Sequence, residues 1–386
     1  MAFTNYHLHS VYSVLDGIIK IPDLVAWAKA HKCDSVGMTD HGSLSGALTL
    51  YKECNKQGIK PLLGFEAYFT DDHIGEKNRV DDKIVLYHLV LIAKNRTGWD
   101  NLIKLHNQAY SEDMFYLKCR INLEMLKAHH EGIICTTACI ASKPARKFSS
   151  GDTEGAKQAI QDLYDIFGED LYLEMQEHGI TEEKPYNQFL YKVSQETGIP
   201  YVVQNDAHYS NKEDAFAHEV LLCKNTHNKI TDEKRFKFPN DEFYLKGEAE
   251  IYDMFDYFPK HVVQTAIDNT QKLADKVKNY SITYGHYNYP TFGHIDESYD
   301  KLKELTLAGF ETRFKNLDID KNLYLKRINH ELSAIKKIGF VDYFLILEDL
   351  MTWAKNNDIW TGYGRGSCGG SLVMYCLGIT HVDPIK

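Results

Sequence analysis

Two histidines one residue apart, His7 and His9 in NYHLHS, are the first side chains in this sequence equipped for chemistry. Similar types recur further on: Asp16 in SVLDG, Asp40 and His41 in MTDHGS, Glu66 in LLGFEAY, His88 in VLYHLVL, Cys139 in CTTACIA, and Asp206 and His208 in QNDAHYS. Imidazole, carboxylate and thiolate together suit zinc, manganese or iron, and ligands shared among several ions hold them close enough to clamp one phosphate. One ion lowers the pKa of a bound water while its neighbours stabilise charge on the phosphoryl oxygens, so the chemistry implied is phosphoester hydrolysis. His7 and His9 alternate along a predicted strand and face one interior, and Asp206 with His208 repeats the device.

Each residue also has a plainer reading. A lone histidine near a strand end is more often a core or surface residue than a ligand. Cys139 alone reads as a buried apolar thiol, as Cys135 does, and Asp16 as a turn residue or helix cap. Asp40 is expected to orient His41 rather than to ligate, because metal-bound imidazoles need such a partner. Recurrence at one strand boundary after another is what favours a metal centre.

Only a fold that gathers strand ends can bring these residues together. Apolar, β-branched runs (TNYHLHS, SVGMTDH, KPLLGFEAYF, LYHLVLIAK, GIICTTACI, DLYLEMQEH, PYVVQNDAHY) alternate with amphipathic helical stretches such as IKIPDLVAWAKAHK and DTEGAKQAIQDLYDIFG. This alternation favours a mostly parallel sheet, open or closed into a barrel, whose strand C-termini face one side. His88 is the exception, lying inside its apolar run. Glu174, Glu177 and His178 on the sixth candidate strand fit the pattern too poorly to assign. Beyond about residue 210 the texture becomes helical, YSITYGHYNYPTFGHIDES reads as a linker, and three amphipathic helices follow it.

With 386 residues, 44% of them hydrophobic and 25% charged, the chain can form one large α/β domain and a smaller one. No apolar run reaches membrane-spanning length, and MAFTNYHLHS has neither the basic nor the apolar region of a signal peptide, so a soluble, cytoplasmic protein is expected. The eight cysteines are scattered without framework spacing and are expected to be reduced thiols. A net charge of −10 argues against a general nucleic-acid-binding field but leaves room for a local basic groove.

Near the C-terminus, GYGRGSCGGSLVMYCLG sets several glycines before an apolar helix. Gly364 and Gly366 let backbone N–H groups approach an anion, Arg365 and Ser367 add donors, and a helix N-terminus favours negative charge. The segment reads either as a nucleotide-triphosphate site or as a tight helix-packing turn.

The motifs NYHLHSVYSVLDG, GMTDHGSLSGALTLY, GFEAYF, YHLVLIAKNRTGWDNL, TTACIAS and NDAHYSNKEDAFAHEVLLC resemble the polymerase-and-histidinol-phosphatase (PHP) domain of bacterial DNA polymerase III alpha subunits. IKKIGFVDYFLILEDLMTWAKNNDI, GYGRGS and ITHVDP resemble the start of the same family's palm, although Cys368 and Gly369 stand where alanines are common. The resemblance implies a distorted parallel (β/α)7 barrel over 1–280, and over 281–386 a mainly helical segment beginning an incomplete polymerase palm. It implies nine ligands around a trinuclear zinc or manganese centre: His7, His9, Asp16, His41, Glu66, His88, Cys139, Asp206 and His208. Asp40 and His41 would be catalytic, and Gly364, Arg365, Gly366 and Ser367 would contact the incoming nucleotide.

In the family the acids that bind catalytic magnesium lie beyond Lys386, so this chain alone is expected not to polymerise DNA. It would be a fragment or one piece of a split subunit, with LVMYCLGI exposed and with a C-terminal polymerase portion, DNA primer ends and dNTP as partners. The function implied is DNA replication, with a metal-dependent phosphoesterase or 3′–5′ proofreading exonuclease in the barrel. A stand-alone phosphatase acting on a small phosphomonoester and a metal-stapled scaffold are the alternatives.

Overall fold

The strands of the computed structural model, which describes residues 3–79, 85–285, 290–291 and 293–386, are short, and six of the seven predicted apolar runs each supply one. They are β1 (Ser35–Met38), β2 (Lys60–Phe69), β3 (Tyr87–Ala93), β4 (Arg120–Ile121), β5 (Ile133–Thr136), β6 (Leu171–Met175) and β7 (Tyr201–Val203). The strand order is β1-β2-β3-β5-β6-β7, with β4 also paired to β2. TNYHLHS forms no regular strand but hydrogen-bonds both sides of the curled sheet: Thr39 N donates to Leu8 O at 3.1 Å and His9 N to Ala207 O at 2.8 Å.

The sheet is mixed, which corrects the parallel expectation at one strand. β1–β2, β2–β4, β5–β6 and β6–β7 are parallel, whereas β3 runs antiparallel to both β2 and β5. β4 was absent from the sequence reading because two residues carry no periodicity.

Around the sheet lie α1 (Ile21–Ala30), α2 (Ala47–Gln57), α3 (Arg96–Ala109), α4 (Leu123–His129), α5 (Lys143–Ser149), α6 (Thr153–Phe167), α7 (Glu183–Thr197), α8 (Ala215–Asn225), α9 (Glu248–Met254) and α10 (Lys260–Lys276). Their ends follow capping chemistry. Asn95 and Asp152 accept from the backbone N–H groups of Gly98 and Gly155 at 3.0 and 2.9 Å, opening α3 and α6. Gly58 closes α2 in the left-handed region, at φ 72°.

Strand parity divides the core in two. Leu63, Leu91, Cys135, Leu173 and Val203 pack outward among the helices. Leu62, Val90, Ile92, Ile134, Tyr172 and Val202 point the other way and meet Leu273 and Ala274 of α10 and Val277 just past its end, which together plug one end of the curl. Fully burying each such side chain contributes about 1.5–3 kcal/mol, enough to hold the opposite end open for polar groups.

The chain divides into two compact units between Ile282 and Thr283, inside the stretch read as a linker, of which residues 286–289 and 292 lie outside those described. The second unit contains α11 (Ile295–Phe314), α12 (Lys321–Lys337), α13 (Val341–Asn356) and α14 (Leu372–Cys376). Tyr324, Ile328, Leu332 and Ile335 recur at helical spacing on α12 and enter a core with Phe310, Phe314, Leu345 and Leu372. α11 and α14 touch at Gly309, where a Cβ would meet Cys376 O at 2.0 Å. The expected exposure of LVMYCLGI is corrected here. Leu372 and Val373 are fully buried, and the exposed large apolar side chains of this unit lie elsewhere, among them Leu350, Trp353, Ile359, Trp360 and Tyr363. Among the described residues, no helix is long and apolar enough to cross a membrane.

Candidate metal centre

Following the inward parity away from the α10 plug, each strand changes from apolar to polar: Leu62 leads to Glu66, Val90 to His88, Ile134 to Thr136, Tyr172 to Glu174 and Val202 to Gln204. Because β3 is reversed, the beginning of that strand lies at the end where its neighbours finish, and His88 faces Tyr68 across the β2–β3 pair. The apparent exception in the sequence is thus a consequence of strand direction. Gln204 holds the first ligand segment in place, its Oε1 accepting from the Tyr6 and His7 amides at 2.9 and 3.0 Å.

Glu66 is the hub. Its Oε2 lies 3.2 Å from His9 Nε2 and 2.9 Å from His41 Nδ1, and its Oε1 lies 3.4 Å from His7 Nε2 and 2.9 Å from His88 Nδ1. Cys139 Sγ is 3.5 Å from His88 Nδ1 and 3.8 Å from Glu66 Oε1. Asp206 Oδ1 is 2.9 Å from His9 Nε2, and Asp16 Oδ2 stands 3.4 and 3.6 Å from the Nε2 atoms of His41 and His208. All nine side chains expected as ligands therefore meet in one place.

They form three overlapping donor groups: His9, Asp16, His41 and His208; His7, His9, Glu66 and Asp206; and His41, Glu66 and His88. Four buried atoms among them, His7 Nε2, His9 Nδ1, His41 Nδ1 and Glu66 Oε2, make no well-aligned hydrogen bond, even where they lie close to one another. Buried polar atoms are rarely left in that state, so this donor set fits divalent cations.

Charge in the centre is unevenly held. Burial works against a proton on His9, yet Asp206 and Glu66 raise its pKa to about 10. Burial and the charge on His9 push His41 down, and push His208 down to about 3. For Glu66 burial is outweighed by His88, His41 and His7, which hold the carboxyl well below its usual range. Burial, with Glu66 and Asp206, pushes the Cys139 thiol well up.

Asp40 requires a correction. Its carboxylate accepts from the Ser10 amide at 2.6 Å and the Ser10 hydroxyl at 3.0 Å, and burial raises it to about 6, so it tethers the turn after His9 instead of orienting His41. Gly17 fixes the same turn, since a Cβ there would meet His9 O at 2.4 Å.

Glu174, unassigned in the sequence, is the orienting carboxylate. Its Oε1 lies 2.5 Å from His7 Nδ1, Gln176 Nε2 donates to it at 2.7 Å, and Thr136 hydroxyl binds Oε2. An acid in a wholly buried strand needs such partners, and its inward parity with Tyr172 was the available signal. Glu174→Gln keeps the shape but loses the charge behind His7, so metal affinity is expected to fall about 10–100-fold with the fold retained. Competition against a chromophoric chelator measures this, and an unchanged affinity would remove the role. Glu177 and His178 lie outside the cluster: Glu177 accepts from Tyr257 at 2.7 Å, and His178 bonds Glu183 at 2.7 Å and Asn205 O at 2.6 Å.

In the second unit, Gly364 (φ 137°) and Gly366 (φ 62°) form an exposed turn with Arg365 and Ser367. The helix expected behind it is only the five-residue α14, and its N-terminus is already capped. Leu372 N and Val373 N donate to Glu331 of α12 at 3.1 and 3.0 Å. A carboxylate of this chain thus holds the place assigned to a phosphate at that helix end.

Comparison with known proteins matches residues 5–178 to the PHP domain and residues 300–386 to the bacterial DNA polymerase III alpha NTPase domain. Seven of the nine clustered side chains lie in the first match, and Asp206 and His208 lie beyond it. DNA polymerase III subunit alpha of Borreliella burgdorferi is 40% identical over 388 residues, covering all of this chain and 33% of the relative. The subunit of Aquifex aeolicus is 38% identical and that of Treponema pallidum 36%, again over the whole chain and over 34% and 32% of the relatives. The chain spans about a third of the length of these relatives. The chain thus carries a match to the PHP domain followed by a match to the alpha NTPase domain, and along its whole length it is similar to about a third of the length of bacterial DNA polymerase III alpha subunits.

Proposed function

We propose that this chain is the N-terminal portion of a replicative DNA polymerase alpha subunit whose PHP unit is a metal-dependent phosphoesterase, acting as a 3′–5′ exonuclease on primer ends. The observation that carries this reading is the clustering of nine side chains with nitrogen, oxygen and sulfur donors, five of them directly around the Glu66 carboxylate. The three overlapping donor groups support up to three ions, zinc or manganese by ligand type. Bound there, such ions supply a water of lowered pKa and neutralise charge on phosphoryl oxygens.

The protein's own residues set up the site. Gln204 and Glu174 fix His7, Asp40 fixes the turn after His9, and Asp16, His41 and His88 keep 15–22% of their side-chain surface exposed. His7, His9 and Glu66 are buried, so substrate reaches the centre from the Asp16 and His41 side. His41 stands at this open face beside Asp16, where its ring is both a ligand and part of the wall that substrate meets. In the second unit, Arg365 and Ser367 would contact the incoming nucleotide, with catalytic magnesium held by acids outside this chain.

The test is digestion, with manganese or zinc, of a labelled primer bearing a mismatched 3′ end, beside a simple phosphomonoester. Stepwise 3′ loss by the parent protein, falling at least 100-fold in Asp206→Ala together with metal content, is the expected result. Equal cleavage by both proteins would remove the site. Cleavage of the phosphomonoester alone would mark a small-substrate phosphatase, and metal binding without any cleavage would mark a scaffold.

A further inference from the structure

The metal centre opens into a cleft of about 460 Å³, which contains Asp16 and His41 at its base. Its wall is a short hairpin closed by the Tyr116–Lys118 bridge, with Tyr68 and Tyr110 beside it. Large apolar groups line this wall and stay exposed to solvent: Phe115 is 43%, Tyr110 50% and Leu117 71% exposed. Leu117 sits at φ 59°, a conformation costing a residue of this kind on the order of 1 kcal/mol, with no burial in return. The rings form a surface that begins at the metal ligands. Tyr68 stacks on His41 with centroids 5.6 Å apart, and Tyr110 stacks on Phe115 at 6.0 Å.

Cations are interleaved with these rings. Lys118 Nζ lies 5.1 Å from the Tyr68 centroid, and Lys77 and Arg79 lie 5.9 and 5.3 Å from that of Tyr116. Among the described residues none of the three pairs with a carboxylate, in a chain whose net charge is −10. Flat apolar faces alternating with unpaired cations bind nucleobases and backbone phosphates, and each stacked base is worth about 1–3 kcal/mol. A small phosphomonoester has no group for such a wall to hold.

We infer that the Tyr110–Lys118 wall is a binding platform for the unpaired terminal nucleotides of a single strand, with bases on Phe115, Leu117 and Tyr110 and a flanking phosphate on Lys118. This deepens the exonuclease reading and rests on it for the identity of the reaction. It makes these residues the determinants of nucleic acid over small phosphoesters.

The test is fluorescence anisotropy of a labelled ten-thymidine strand with the full chain in EDTA, so that binding is read without hydrolysis. Phe115→Ala is expected to weaken binding roughly tenfold, the loss of about one stacked base. Lys118→Ala is expected to weaken it a few-fold and to reduce the slope of log affinity against log salt by about one. Leu117→Gly, which relieves the backbone, is expected to melt no lower than the parent and to bind less well. Parental affinity in all three variants, or no binding by the parent, would overturn the platform. Weakened variants in a protein that cleaves nothing would leave the platform standing and remove the exonuclease reading instead.

Discussion

Glu66→Gln is expected to empty the metal centre. The carboxylate lies within 3.4 Å of four imidazoles and belongs to two of the three donor groups, so one substitution removes a shared ligand from both. It also leaves buried charge uncompensated, since Glu66 helps to hold protons on His7 and His9 in the metal-free protein. Breaking one side of a buried charged pair costs about 3–5 kcal/mol. Metal content by mass spectrometry should fall to background, and melting should drop by roughly ten degrees. A variant that retains the parent's metal stoichiometry would show that Glu66 is not the hub.

Metal removal should reverse the pH dependence of stability. Without metal, the raised pKa of His9 makes a contribution that is complete below its ordinary value of 6.5 and lost as pH rises toward about 10. The lowered pKa values of Glu66, Asp206 and Asp16 contribute stability above the ordinary carboxylate range that is lost in acid, through about 2 for Asp16. His208, pushed down to about 3, also disfavours the fold in acid, where the unfolded chain takes up its proton. The chelated protein should therefore melt at lower temperature as pH rises from 7 to 9. The loaded protein should show the opposite slope, because cations compete with the proton on His9 and bind more tightly as pH rises. At a free metal concentration 1,000 times Kd each site adds about 4 kcal/mol, so chelation at pH 8 should lower melting by roughly ten degrees or more. Parallel slopes with and without metal would contradict ligation by His9.

Local signals in the sequence pointed to His7, His9, His41, Glu66, Asp206 and His208, since a polar residue ending an apolar strand is visible without knowing the fold, whereas Asp16, His88 and Cys139 joined them through the family resemblance. Partners across long sequence distances were not visible in this way. Asp40 lies next to His41 in sequence but bonds Ser10, 30 positions away. Glu174 reaches His7 across 167 positions, and only strand parity pointed toward it. Glu331 caps α14 from 41 positions upstream, a contact decided by how α12 packs. Strand direction is equally silent in a short apolar run. β3 has the same texture as its neighbours, and only the antiparallel register explains why His88 comes at its beginning.

The reversal of β3 also bears on how this fold can diversify. In a parallel β/α unit the chain leaves one rim and returns through a helix to the opposite one, so a change of length there disturbs the packing on both sides. Between Phe69 and Tyr87, which face each other across β2 and β3, the chain leaves and returns at the metal-bearing rim. Insertions between these two residues can lengthen or shorten the chain at this rim without shifting the register of Glu66 and His88. This connection is the place where a descendant could exchange one substrate for another while inheriting its metal ligands intact.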